Sequence, residues 1–249
     1  MNVRVNLQKL QPGIMGKMIL AIQTVADRHI RGEIDIDDIN NLNFFCEGQN
    51  NEDFFNYVLD QAHIDKYDKM YEWKVFSQPT DISSHKDFLI YKRIAKKINI
   101  KKSIFEKIPK EIDENTIGVH IRLTDMNTHH SDIYGHKTLD TYLYKLDKVL
   151  DNNNDIKKIF ISSDNEESIS KIKSNYDIIV NDITNRNKKE TDSGYFDFLL
   201  ANCNDFNLWQ STFVDSISLS KCGYILKGDS SFSAIPIIFS STIKGVYTV

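Results

Sequence analysis

The chain has 249 residues, 41% hydrophobic and 27% charged, the balance of a soluble globular protein long enough for one large domain or two small ones. Its net charge of −4, with a pI near 6.0, excludes a global attraction to nucleic acid or to an anionic membrane, and leaves room for a local basic cleft. Cys46, Cys203 and Cys222 are an odd number without CxxC spacing, so neither a disulfide framework nor a zinc cage is indicated and a reducing compartment is the simpler expectation.

In chain order, residues 3–10 alternate apolar and polar as a first strand does. This start lacks the long apolar core of a secretory signal, and no apolar stretch is long enough to cross a bilayer. A turn at 11–16 precedes helical spacing over 17–30, carried by Met18, Ile22, Val25 and Ala26. Residues 34–42 read as an acidic loop, 44–45 as a strand and 53–61 as a short helix. Residues 86–98 form an amphipathic helix, with Phe88, Leu89, Ile94, Ala95 and Ile98 on one side. A domain boundary falls near 100–114, giving an amino-terminal domain of 1–112 and a carboxyl-terminal one of 113–249.

The later half alternates more clearly. Strands are expected at 117–121, 158–162, 177–180, 223–226 and 246–249. Helices are expected at 139–150, 165–173, 205–220 and 232–239, the third of them foreshadowed at 197–200. Such alternation argues for parallel sheets wound by crossover helices.

Four loops follow strands, where an open α/β sheet holds its ligand. Gly13 and Gly16 precede a helix whose amino terminus is suited to a phosphate or a sugar, an ordinary turn being the alternative. His120 and Arg122 end the strand at 117–121, and an arginine there offers a rigid fork of donors to phosphate oxygens. Asp164, in Ser162-Ser163-Asp164, is most simply a helix cap. The loop from Lys227 to Ser233 brings hydroxyls and amides of Ser230, Ser231 and Phe232 to a helix start, as a diphosphate requires, although capping explains some of them.

His120-Ile121-Arg122-Leu123-Thr124-Asp125 resembles the His-x-Arg-x-x-Asp signature of the GDP-fucose-dependent fucosyltransferases, in particular the α1,6-fucosyltransferase and nodulation fucosyltransferase branch. The order of later segments is similar too: residues 159–164, the helix bearing Asp215, and the strand that leads to Ser230-Ser231. The likeness spans roughly residues 115–240, and the first hundred residues match only through the glycine turn.

The resemblance implies an α/β, GT-B-like fold: two Rossmann-like parallel-sheet domains facing a cleft, the first on the acceptor side and the second binding the GDP-sugar. It implies an inverting transfer of fucose, or a related sugar, from GDP-fucose to a glycan hydroxyl. Arg122 would grip the β-phosphate, His120 and Asp215 would recognise the guanine, and Ser230 and Ser231 would donate to phosphate oxygens. Asp164 would support the site, and Gly13 and Gly16 would pack near the donor. No metal or other cofactor would be required if an arginine and a helix terminus supply the electrostatics.

The chain departs from that branch at three places. Leu123 stands where a second arginine is usual, Met126 where a lysine is, and His130 where the candidate carboxylate base lies. Inversion by direct displacement needs a base for the acceptor hydroxyl, for which His129, His130 and Asp132 are the nearest candidates, with Asp125 fixing the loop. Solvated loop histidines are the alternative. The expectation is a glycosyltransferase that is cytoplasmic or peripheral to a membrane, with a GDP-sugar donor, a glycan acceptor and no nucleic-acid partner. The competing reading is an inactive nucleotide-sugar or glycan-binding module of the same fold.

Overall fold

The computed structural model of the protein describes residues 1–7, 14–46, 55–72, 87–123, 138–163, 165–181, 206–228 and 231–249. They divide into two compact units, Met1–Glu106 and Lys107–Val249. No helix among the described residues is long and apolar enough to cross a membrane.

The first unit is built on a three-stranded parallel sheet in the order β2-β1-β3, from β1 (Asn2–Leu7), β2 (Asn41–Cys46) and β3 (Lys69–Glu72). In β1, Val3, Val5 and Leu7 are buried while Arg4 and Asn6 are only partly so, the period-2 pattern of a strand with one apolar face. On the polar face the Arg4 guanidinium lies 4.2 Å from the centre of the Phe45 ring, and its Nε donates to Asn6 Oδ1 at 2.8 Å. Helix α1 (Ile14–Ile30) packs on β1. It ends in a Schellman arrangement: Gly32 N donates to His29 O and Glu33 N to Arg28 O, both at 2.9 Å, which requires the left-handed φ of 73° that Gly32 adopts. Among the described residues the unit also contains the short helices α2 (Phe55–Val58), α3 (Phe88–Ala95) and α4 (Lys102–Phe105).

Several sequence expectations shift here. Helix α1 begins at Ile14, so Gly16 lies inside its first turn and not in the preceding loop. The strand expected at 44–45 starts at Asn41, taking in residues read as loop. Neither β3 nor α4 is foreshadowed by the sequence: Lys69, Met70 and Glu72 are all exposed, so β3 has no apolar alternation to reveal it.

The second unit holds five parallel strands in the order β6-β5-β4-β7-β8. They are β4 (Thr116–Ile121), β5 (Lys158–Ser163), β6 (Ile178–Val180), β7 (Tyr224–Lys227) and β8 (Gly245–Thr248). All six residues of β4 are buried, as expected of a central strand covered on both faces. Ile117, Val119 and Ile121 enter one core with Tyr142, Leu146 and Val149 of α5 (Leu139–Asn152) and Ile169 and Ile172 of α6 (Glu166–Lys173). Gly118 and His120 alternate to the opposite face. There Phe160 of β5 packs with Leu219 of α7 (Phe206–Lys221), Cys222, and Phe232 of α8 (Ser231–Phe239). An ideal Cβ on Gly118 would lie 2.6 Å from Leu219 Cδ2 and 3.0 Å from Cys222 Sγ, so the missing side chain is what lets α7 settle this close to β4.

The entry to β4 is anchored where the chain arrives from the first unit. Asp113 Oδ2 receives Lys158 Nζ at 2.5 Å and Asp113 Oδ1 receives Thr116 Oγ1 at 3.1 Å, and the Lys158 contact holds the Asp113 carboxyl below its usual range.

Candidate functional site

The strand order locates the site before any side chain is considered. From β4 the chain winds outward through β5 to β6, then returns by α7 to place β7 on the other side of β4 and continues to β8. Winding therefore reverses between β4 and β7, and an open parallel sheet leaves a crevice outside the carboxyl ends of the strands at such a reversal. His120 of β4 and Lys227, the last residue of β7, are register partners flanking that point. His120 also pairs with Ser162 of β5, so the three side chains form a row across adjacent strands on the face that α7 and α8 cover.

All three residues of this row are buried. His120 is buried, its Nδ1 lies 2.6 Å from Ser233 Oγ, and its ring stacks on Phe232 with centroids 4.4 Å apart and planes at 23°. Ser162 Oγ donates to Asp215 Oδ2 at 3.3 Å, which places Asp215 on the sheet-facing side of α7 at 2% exposure. Lys227 is likewise 2% exposed. Arg122 stands one residue past the end of β4, half-buried.

Burial pushes the His120 imidazole down from its ordinary value to about 3, helped by the positive charges of Arg122 and then Lys227. The ring is therefore neutral at physiological pH and serves as a hydrogen-bonding group, not as a cation or a proton shuttle. Arg122 and Lys227 thus place two positive charges near a neutral imidazole at the switch point, with the buried Asp215 beside Ser162 on the neighbouring strand.

The structure brings together His120, Asp215 and Phe232 of the residues expected from sequence, with Arg122 just beyond the strand. Ser231 opens α8. Gly13, Asp125, His129, His130, Asp132, Asp164 and Ser230 lie outside the described residues. The cap of α6 is Asn165, whose side chain accepts from Ser168 N at 2.8 Å, so capping does not fall to Asp164. The polar member of a strand–turn–helix junction caps only if its φ and ψ suit, which residue type alone does not reveal.

Two residues escaped sequence reasoning. Lys227 was grouped with a loop, yet it closes the apolar run Tyr-Ile-Leu-Lys before Gly228, and a lysine ending a buried strand is the signal that was available. Ser233, the last residue of the serine-rich stretch, turns its side chain to His120.

No protein-family model and no curated protein matches the chain. Solved structures do. NodZ alpha-1,6-fucosyltransferase soaked with GDP-fucose is 11% identical, with 96% of this chain and 93% of that one covered and a TM-score of 0.51. Fucosyltransferase NodZ from Bradyrhizobium is 12% identical, with 96% and 94% covered and a TM-score of 0.54. POFUT1 in complex with GDP is 10% identical, with 99% and 98% covered and a TM-score of 0.54. At these identities the likeness is one of backbone: the chain has the α/β, GT-B-like fold of these fucosyltransferases.

Proposed function

We propose that the carboxyl-terminal unit binds a GDP-sugar and that the protein is an inverting glycosyltransferase moving fucose, or a related sugar, from GDP-fucose to a glycan hydroxyl. The observation that carries this reading is the reversal of winding between β4 and β7, flanked by His120 and Lys227 with Arg122 one residue beyond. Structural neighbours solved with GDP-fucose or GDP support the choice of nucleotide.

In this reading the Arg122 guanidinium neutralises charge as it develops on the departing β-phosphate, a task in which a preorganised cation stabilises the transition state more than the ground state. Lys227 adds positive potential from behind the strand ends. Asp215 accepts from the guanine ring N–H and exocyclic amine, and His120 contributes a neutral hydrogen bond. The amino terminus of α8, which opens at Ser231, offers its dipole to the diphosphate. No metal is called upon. The proton of the acceptor hydroxyl goes to a base in the loop after β4, with His130 and Asp132 as candidates and Asp125 as the residue that shapes the loop.

A thermal-shift panel with GDP, UDP, ADP and CMP tests the donor pocket without an acceptor, because a ligand at a hundred times its Kd stabilises the folded state by about 2.7 kcal/mol. GDP alone should raise the melting temperature; a response confined to another nucleotide overturns the assignment. The second reading, a nucleotide-sugar or glycan-binding module without turnover, draws on Met126 and His130, which stand where related enzymes carry a lysine and a carboxylate. GDP binding with neither hydrolysis nor transfer of the donor sugar would establish it.

A further inference from the structure

The bond between His120 and Ser233 joins residues 113 positions apart in the chain, and it decides more than the ring's location. Ser233 is 0% exposed, at the third position of α8, so its hydroxyl proton cannot go to solvent. Among the described residues, the contact to His120 Nδ1 is the only hydrogen bond of either side chain. A serine hydroxyl that merely accepted from an Nδ1–H would leave its own proton as a buried donor without a partner, which buried polar groups avoid. The arrangement that satisfies both groups has Ser233 Oγ–H donating to an unprotonated Nδ1.

We infer that Ser233 is a positioning residue that holds His120 as the Nε2–H tautomer, so that the ring presents a single hydrogen-bond donor to an acceptor atom of the bound nucleotide. Phe232, stacked 4.4 Å away, fixes the plane of the ring while Ser233 fixes its rotation and its proton. Burial and then the positive charges of Arg122 and Lys227 keep the ring from taking a second proton. The nature of the acceptor atom rests on the GDP-sugar reading above; the tautomer does not. An Nε2–H donor suits a carbonyl oxygen, a ring nitrogen or a phosphate oxygen and rejects an amine or an N–H, so the residue contributes to the choice of base as well as to affinity.

The test uses the full chain labelled with ¹⁵N. Long-range ¹H–¹⁵N spectra report which imidazole nitrogen carries the proton, and the His120 signals are assigned by their loss in His120→Gln. We expect an unprotonated Nδ1 and a protonated Nε2, unchanged between pH 5 and 8. Ser233→Ala should mix the tautomers and weaken GDP binding on the order of tenfold, the factor one hydrogen bond is worth. Ser233→Thr, which keeps the hydroxyl, should restore both. A wild-type ring protonated at Nδ1 overturns the inference, and needs no variant to fold. So does a Ser233→Ala protein whose tautomer is unchanged. A wild type with the Nε2–H ring that ignores GDP refutes the donor reading and spares the hold of Ser233 on the ring; GDP binding with the proton on Nδ1 does the reverse.

Discussion

Gly118→Ala is the sharpest single perturbation of the frame on which the site is built. On propensity alone, replacing a strand-interior glycine by alanine should stabilise, by about 0.5–1 kcal/mol of backbone entropy. The packing predicts the opposite sign. The new methyl would sit 2.6 Å from Leu219 Cδ2, 3.0 Å from Cys222 Sγ and 3.4 Å from Cys222 Cβ. Carbon atoms need about 3.5–4.0 Å, so the shortfall against Leu219 is about 1 Å. Leu219 and Cys222 are both fully buried in a close-packed interior, so relieving the contact displaces neighbouring atoms and shifts α7 relative to β4. Overpacking of this kind costs about 1–3 kcal/mol, outweighing the entropic gain. Asp215 lies one turn earlier on the same helix, and its bond from Ser162 is already long at 3.3 Å, so a shift of α7 also loosens that carboxylate. Urea unfolding followed by tryptophan fluorescence, with an unchanged m-value, reads the stability loss directly. The melting temperature should fall by about 2–4 °C for each kcal/mol. Adding Leu219→Ala to Gly118→Ala should cost less than the sum of the two single changes, since the second removes the clash created by the first. A Gly118→Ala protein as stable as wild type, or more so, refutes the close-packing argument.

Arg122→Ala should abolish donor hydrolysis and transfer while leaving the unfolding midpoint within about 0.5 kcal/mol of wild type, as a half-buried residue outside the core predicts; full turnover in the variant would remove the arginine from the mechanism. His120 makes stability depend on pH with a definite sign. Its folded pKa of about 3 lies below the ordinary 6.5, so the unfolded chain takes up the proton first as the pH falls. Its contribution is complete above 6.5 and is lost between 6.5 and about 3, at a slope of up to about 1.4 kcal/mol per pH unit, and His120→Gln should flatten that slope in urea titrations at pH 7, 6 and 5. At the amino ends of the strands, Tyr224 Oη donates to both oxygens of Asp155 at 2.9 Å, and Lys244 reaches the same carboxylate at 2.9 Å. Tyr224→Phe should therefore cost about 1 kcal/mol of stability and leave GDP binding unchanged, and a loss of binding would contradict the placement of the site at the opposite ends.

Much of the second unit is written in local patterns. Ile117, Val119 and Ile121 alternate with Gly118 and His120, and both sets are buried, which is why the stretch reads as a strand and packs as a central one. Helices α5 and α6 carry their apolar residues on one face and their caps, Thr138 and Asn165, at their starts. The boundaries differ by a few residues because end residues answer to tertiary contacts. Strand β3 stayed hidden because its hydrogen bonds come from β1 while its side chains largely face solvent, so its sequence records no core.

By itself, then, the sequence determined the α/β alternation, the strand at β4 and the presence of His120 and Arg122 at its end, since periodicity and strand ends are local properties of a chain. Only the tertiary structure decided that β7 lies beside β4, so that Lys227 comes level with His120, and that Ser233 meets a histidine far away in sequence. Strand order and side-chain protonation depend on which segments exclude water from one another, and no stretch of residues carries that information alone.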